Sequence, residues 1–257
     1  MKNVPKLSPN RKNNSKAEKE IGVRINKYLA DAGICSRRAA EELVREGAVK
    51  INREVVTDLG RRVLTSDFVT VKGEPVTIYK NLIYILLNKP KDYITTTSDE
   101  KGRKTVMDIV KKRDRIFPVG RLDRNTTGAL LLTNDGDLAY RLTHPSFEVP
   151  RVYNVVLDKK IDLEDAKKIS EGIELEDGKT SPCEVLVQPT DRSHITLELH
   201  EGRNREVRRI FESLGYEVKR LDRKSFATLS TRGLARGEYR HLTRGEILQL
   251  RMSIGLE

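Results

Sequence analysis

The stretch FPVGRLDRNTTGALLLTNDGDLAYRLTHP, residues Phe117–Pro145, decides how the larger part of this chain folds. Its segment Ala129–Thr133 is a short apolar run that ends in Asn-Asp-Gly. This pattern predicts a buried strand, because the run is too short for a helix. Asp135 or Asp137 can then cap a helix that continues to about Leu142. A strand followed by a capped helix is therefore expected here.

The residues before this strand form a polar turn that carries a carboxylate. Asp123 follows the apolar Leu122 and lies between Arg121 and Arg124. The Asn and Gly that follow suit a tight or left-handed backbone, so Asp123 should lie on a loop against the buried strand. Taken alone, such a residue is either a capping or salt-bridged loop aspartate or a functional carboxylate.

Composition limits the kind of partner. The chain has 257 residues, enough for one or two domains, and its formal net charge is +11. An excess of this size predicts a polyanionic partner, which is RNA, DNA or an anionic membrane. The chain contains no apolar run of about 18 residues, so no membrane span is expected. Residues 1–20 are basic and polar, lack the apolar core of a signal peptide, and are predicted to be disordered.

Cysteine and histidine usage predicts neither a disulfide nor a metal site. Cys35 and Cys183 are far apart in the sequence and form no CxxC pair, which favours reduced thiols in a cytoplasmic protein. The four histidines show no ligand spacing, so we expect no bound metal.

Residues 21–78 are predicted to form a small helix-hairpin unit. Ser36 should cap its second helix, and Arg37, Arg38 and Arg45 occupy polar positions of that helix. On charge alone, this unit is either an RNA-binding module or a small domain with a solvated charged face. The stretch VRINKYLADAGICSRRAAEELVREGAVKINREVV resembles an S4 RNA-binding domain. The resemblance implies that the start of the second helix meets phosphate, where the helix dipole favours an anion.

Residues 83–252 are predicted to form an α+β domain with a largely antiparallel sheet. Strands outnumber helices here, and their connections are short. Lys89 and Lys91 follow the first strand, where they would either face RNA or simply aid solubility. Tyr153 lies on a strand predicted from Arg151 to Leu157, where a core role is the ordinary alternative.

The motif Gly120-Arg121-Leu122-Asp123, followed by Asn-Thr-Thr-Gly and LLLTNDG, resembles that of RNA pseudouridine synthases of the RsuA/RluB type. The resemblance covers about residues 22–252 in the expected order. It implies that a uridine in RNA is isomerised to pseudouridine without a cofactor or metal. The partner implied is structured ribosomal RNA with the uridine flipped out of its stack, and we expect a monomer with no membrane or small-molecule cofactor.

The same resemblance implies roles for individual residues. Asp123 would be the catalytic carboxylate, acting as a nucleophile or as a base. Tyr153 would stack on the base, and Arg208 in NREVRR would pair with Asp123. Two further residues would contact the RNA, with Leu221 against the flipped base and Arg121 where the base has left the stack.

Details of the motif favour the branch of the family that acts on large-subunit ribosomal RNA. They are His144-Pro145-Ser146 and the spacing from Glu148 to Tyr153. Two alternatives stay open. One is a synthase acting on small-subunit RNA, and the other is a non-catalytic ribosome- or RNA-binding protein.

Overall fold

The computed structural model describes residues 22–78, 81–111 and 115–256. The chain divides into two compact units, residues 1–79 and residues 80–257. The predicted disordered tail, residues 1–20, lies outside the described residues.

The first unit packs two helices against small antiparallel sheets. Its elements are β1 Val23–Arg24, α1 Ile25–Asp31, α2 Arg37–Arg45, β2 Val49–Ile51, β3 Glu54–Val55, β4 Arg62–Val63, β5 Val69–Val71 and β6 Glu74–Val76. Strand β1 pairs with β4, and a four-stranded sheet has the order β3-β2-β5-β6. Ser36 caps α2 by accepting a hydrogen bond from the Ala39 N–H, as predicted. Asn52 and Arg53 both have positive φ and form the tight turn between β2 and β3.

The second unit is larger. Its strands are β7 Tyr84–Lys89, β8 Phe117–Pro118, β9 Thr127–Thr133, β10 Arg151–Leu157, β11 Glu174–Leu175, β12 Gly178–Lys179, β13 Glu184–Val187, β14 His194–Leu199, β15 Val218–Phe226, β16 Leu229–Ser230 and β17 Tyr239–His241. Its helices are α3 Val106–Ile109, α4 Gly136–Thr143, α5 Leu163–Glu171, α6 Glu206–Ser213 and α7 Arg244–Ser253.

One sheet organises this second unit. Its main path has the order β13-β14-β10-β15-β9-β7-β17, with β16 added to β15 and β8 added to β9. Within the described residues every pairing in this sheet is antiparallel except that of β9 with β15. The predicted α+β fold with a mainly antiparallel sheet is therefore confirmed. Helices α5 and α6 contribute to one apolar core, with β10, β14 and β15, while α4 and α7 contribute to another.

The parallel pairing depends on a glycine. Gly128 in β9 lies opposite Arg223 in β15 and has a φ of +110°. A Cβ atom at this position would lie 2.2 Å from the Arg223 carbonyl oxygen, a distance that no side chain tolerates. The close approach of the two backbones therefore requires glycine, and it brings the loop before β9 next to β15.

Candidate active site

The loop that carries Asp123 is anchored by the leucine before it. Leu122 is buried in the apolar cluster that includes strands β7 and β9. The Leu122 carbonyl oxygen accepts a hydrogen bond of 2.7 Å from the Thr95 hydroxyl. The Leu122 N–H donates to the oxygen of that hydroxyl at 3.2 Å. Arg121 is consequently exposed and Asp123 half-buried. A buried leucine between two polar residues thus fixes the direction in which the carboxylate points.

Lys89 does not face RNA, so the prediction that it does is wrong. Its side chain is fully buried. The Nζ atom donates to backbone carbonyl oxygens of Asp123 at 3.0 Å, Thr126 at 2.9 Å, Pro90 at 3.1 Å and Arg124 at 3.3 Å. Burial lowers the pKa of Lys89 to about 8, and the charges of Asp123 and Asp92 oppose part of that shift. The lysine therefore ties the Asp123 loop to the end of β7 and is closed off from any ligand.

A cavity of about 160 Å³ opens beside this loop. It is lined by Asp123 and Arg121 from the loop, Tyr153 from β10, Arg208 from α6 and Leu221 from β15. These are the three predicted catalytic residues together with two of the three predicted RNA-contacting residues of this unit, the third being Lys89. The fold brings them together although they span a hundred residues of sequence.

Arg208 and Asp123, both within the described residues, do not form the expected ion pair. Arg208 Nη1 instead donates to the Val218 carbonyl oxygen at 2.9 Å. Arg208 lies on α6, whose inner face packs on β15, so its guanidinium reaches the start of that strand. Arg124, which the sequence places beside Asp123, pairs with Asp92 at 3.2 Å.

Two buried guanidiniums, which the sequence motifs did not indicate, also line the cavity. Arg151 lies on β10 and Arg223 on the neighbouring β15, where it is directly opposite Tyr153. Both stack over the Phe226 ring, at 5.6 Å and 4.5 Å respectively. Burial lowers the pKa of each arginine, and the Tyr153 hydroxyl opposes part of the shift. The sequence did contain a signal for these two arginines, because each occupies an inward-facing position of a strand. A buried arginine at such a position needs a hydrogen-bond partner or a ligand.

A pair of glutamates lies at the start of α6. Glu206 is buried, lines the cavity, and accepts a hydrogen bond from the Arg203 N–H at 3.0 Å. Burial raises its pKa to about 8, reinforced by a hydrogen bond with Glu201 and by the charge of that residue. Glu201 is itself held by the Ser181 N–H and by Arg203 Nε. Glu206 is therefore protonated at neutral pH and shares its proton with Glu201.

The other predicted RNA-binding residues lie in the first unit. Arg37, Arg38 and Arg45 are exposed on α2. Arg45 makes a long ion pair of 3.8 Å with Glu41, and both side chains are substantially exposed. Such a pair contributes little to stability, so the arginine can exchange its partner for a phosphate at small cost.

Metal-binding and membrane-spanning features do not occur in the part of the chain that the structure describes. In these ranges no three His, Cys, Asp or Glu side chains are arranged to hold a metal ion. No helix in the same ranges has the length and apolar character that crossing a membrane requires. Burial raises the pKa of the Cys183 thiol to about 11, which disfavours the nucleophilic thiolate at neutral pH.

Comparison with known proteins agrees with this geometry. Residues 83–213 match the family model of RNA pseudouridylate synthase, and residues 23–69 match that of the S4 domain. The ribosomal large subunit pseudouridine synthase B of Bacillus subtilis is 46% identical over 89% of this chain and 95% of its own length. The chain belongs to the RNA pseudouridylate synthase family. It is thus an isomerase with an S4 domain before its catalytic domain.

Two further relatives of this pseudouridylate synthase are informative. The dual-specificity RNA pseudouridine synthase RluF of Escherichia coli is 36% identical over 90% of the chain and 79% of its own length. A crystal structure of a pseudouridylate synthase superimposes with a TM-score of 0.66 at 30% identity, covering 89% of this chain and 99% of the other. The similarity therefore extends over both units.

Proposed function

We propose that this pseudouridylate synthase converts a specific uridine of large-subunit ribosomal RNA to pseudouridine, with Asp123 as the catalytic carboxylate. The observation that carries the proposal is the shared cavity, which collects Asp123, Tyr153, Arg208 and Leu221. The large-subunit substrate is supported by the similarity to the Bacillus subtilis enzyme. We further propose that the protein works as a cytoplasmic monomer, with residues 21–78 docking RNA and residues 83–252 performing the chemistry.

The reaction requires only groups that line the cavity. The bond from N1 of uracil to C1′ of ribose breaks, the base rotates, and a new bond forms from C5 to C1′. The C5 proton leaves and N1 gains a proton, so no atom is added and nothing is oxidised. Asp123 either attacks C1′ and is released when C5 rejoins C1′, or removes a sugar proton and later returns it, while Tyr153 stacks on the base and its hydroxyl helps to remove the C5 proton. Leu221 packs against the extruded base, and Arg121 holds the RNA at the gap that the base leaves.

The cavity volume suits a single base. An engineered apolar cavity of about 150 Å³ holds a benzene molecule, and this one measures about 160 Å³. A uracil ring is a comparable guest, whereas a stacked base pair is not. The target nucleotide must therefore leave the RNA stack before it reacts, as in other enzymes that act on nucleobases.

Asp123→Asn tests the proposal. The purified variant and the wild type are incubated with protein-free large-subunit and small-subunit ribosomal RNA, and pseudouridine is mapped by sequencing. We expect the wild type to modify large-subunit RNA and Asp123→Asn to lose at least about 1000-fold in rate, or about 4 kcal/mol in barrier. Asp92→Asn removes an exposed carboxylate near the same loop and should stay active.

Each outcome has a separate meaning. Modification of small-subunit RNA alone would show that the enzyme belongs to the branch of the family that acts on small-subunit ribosomal RNA. Absence of pseudouridine in both RNAs with the wild type would favour a non-catalytic RNA-binding role. Turnover of Asp123→Asn within tenfold of the wild type would remove Asp123 from the chemistry.

A further inference from the structure

The cavity contains polar atoms that the protein itself leaves unpaired. Five buried side-chain nitrogen or oxygen atoms in the described residues have no hydrogen-bond partner. Three of them belong to residues that line this one cavity, namely Thr126 Oγ1, Arg223 Nη2 and Glu206 Oε1, of which only Glu206 has a neighbour, Glu201, that can take up its proton. Buried polar groups are normally satisfied, because leaving one unpaired costs about 1–3 kcal/mol. This clustering indicates that a polar ligand completes the set.

Arg223 is the most constrained of the three. It is buried to 3% exposure, its Nε donates to the Ala129 carbonyl oxygen at 2.8 Å, and its guanidinium stacks over Phe226. These two contacts fix the plane of the guanidinium. Burial lowers the pKa of Arg223, and the Tyr153 side chain opposes part of that shift by its charge and by a hydrogen bond to the guanidinium. Arg223 lines the cavity, and its Nη2 donor, buried in the cavity wall, has no hydrogen-bond partner within the described residues.

The chemistry of arginine defines what this donor can bind. A guanidinium only donates, so its partner must be an acceptor. Uracil presents a carbonyl oxygen at position 4, where cytosine presents an amino donor. A protein donor that contacts position 4 of the base can bond to uracil O4, but in cytosine it would face the N4 amino group, which is also a donor. Two donors that face each other leave both groups unpaired, and this gives strong discrimination against cytosine.

The rotation of the base adds a second requirement. To exchange N1 for C5, the ring turns by half a revolution about the axis through N3 and C6. The same rotation exchanges the O2 and O4 carbonyls, so a carbonyl occupies the same place before and after the turn. We propose that Arg223 Nη2 donates to a uracil carbonyl in both orientations, to O4 in one and to O2 in the other, and so selects uracil and holds it at both ends of the rotation.

This inference rests on the proposed function, and one experiment separates the two. The substrate is a ribosomal RNA fragment that carries the uridine mapped above, prepared with uridine, 2-thiouridine or 4-thiouridine at that position. Sulfur is a poorer hydrogen-bond acceptor than oxygen. Single-turnover rates are measured for the wild type, Arg223→Met and Arg223→Lys, with thermal unfolding as the check on folding. Arg220→Met is the matched control, because Arg220 is exposed on the same strand.

We expect each thio substitution to slow the wild type and Arg220→Met by roughly tenfold. Arg223→Met should slow the unmodified RNA by roughly 10- to 100-fold and lose its sensitivity to both substitutions, since the donor is absent. Arg223→Lys keeps the buried charge, but one ammonium cannot hold Ala129 and reach the base, so the same loss of sensitivity is expected. Wild-type sensitivity in a folded Arg223 variant would overturn the proposal, as would a wild type that is indifferent to both substitutions. A wild type that forms no pseudouridine would overturn the function and this inference together.

Discussion

At the scale of single residues, a buried lysine determines where the Asp123 loop lies. Lys89→Met removes the donor from four backbone carbonyls, and methionine cannot replace it. We expect the free energy of unfolding to fall by about 3 kcal/mol and turnover to fall by about 100-fold, because a displacement of the loop by about 1 Å is enough to misplace the carboxylate. Urea denaturation and single-turnover rates measure the two effects.

Lys91→Met is the matched control for this experiment. Lys91 is exposed two residues further along the chain, so its replacement should leave the urea midpoint unchanged and affect only RNA affinity. A Lys89→Met protein as stable and active as the wild type would contradict the structural role of Lys89.

The protonated Glu206 makes stability depend on pH. Its pKa in the folded protein, about 8, lies above the ordinary value of 4.5. The folded state therefore keeps a proton that the unfolded chain releases, and the free energy of unfolding falls as pH rises from about 4.5 to 8. The slope from one such group is at most about 1.4 kcal/mol per pH unit. The groups around it are Glu201, Arg203, Arg151, Arg209 and Cys183.

Glu206→Gln should remove this slope, since the amide donates to Glu201 at every pH. We expect the variant to be more stable than the wild type at pH 8 and above, as measured by urea denaturation between pH 5 and 9. Glu212→Gln, at an exposed position of the same helix, is the control and should keep the wild-type slope. Equal slopes in all three proteins would show that Glu206 does not hold the proton.

At the scale of elements, short sequence patterns correctly predicted the helix caps and strands that depend on contacts between neighbouring residues. The Ser36 cap and the strand Arg151–Leu157 both follow from patterns within a few residues, and the structure confirms them. Helix α7 was not predicted, although Thr243 and Glu246 form a capping box at its start.

The parts of the site that were not predicted depend on distant partners. Lys89 stands in an Asn-Lys-Pro-Lys sequence that looks like an exposed loop, but three of its four acceptors lie 34 to 37 residues away. Arg223 is held by Ala129, which is 94 residues distant. No local pattern reports such contacts. The motif resemblance therefore identified the reacting residues but not the buried groups that support them.

At the scale of the whole molecule, binding and chemistry are expected to separate between the two units. Arg37→Ala with Arg38→Ala should weaken RNA binding and flatten the dependence of log K on log salt by about 0.7 to 0.9 for each phosphate that the variant no longer neutralises. Turnover at saturating RNA should hardly change, because these residues belong to the first unit. The measurement is binding of one RNA at three or more salt concentrations, together with single-turnover rates.

Arg37→Lys with Arg38→Lys is the charge-conserving control and should keep the salt slope. Arg208→Ala should show the opposite pattern, with a steep fall in turnover and an unchanged slope. An Arg37/Arg38 double variant with wild-type affinity but a reduced saturated rate would refute the docking role of the first unit.

The order of strands in the large sheet also bears on how this protein is made. Strand β15 inserts between β10 and β9, which were synthesised long before it, and β17 closes the edge of β7, the first strand of the unit. A growing chain that has not yet reached residue 241 therefore exposes unpaired strand edges, which invite aggregation until their partners emerge from the ribosome. Contacts this distant in sequence also slow folding. The cavity cannot form before β15 arrives, so a nascent chain on the ribosome cannot modify the RNA beside it until residues up to Phe226 have been translated.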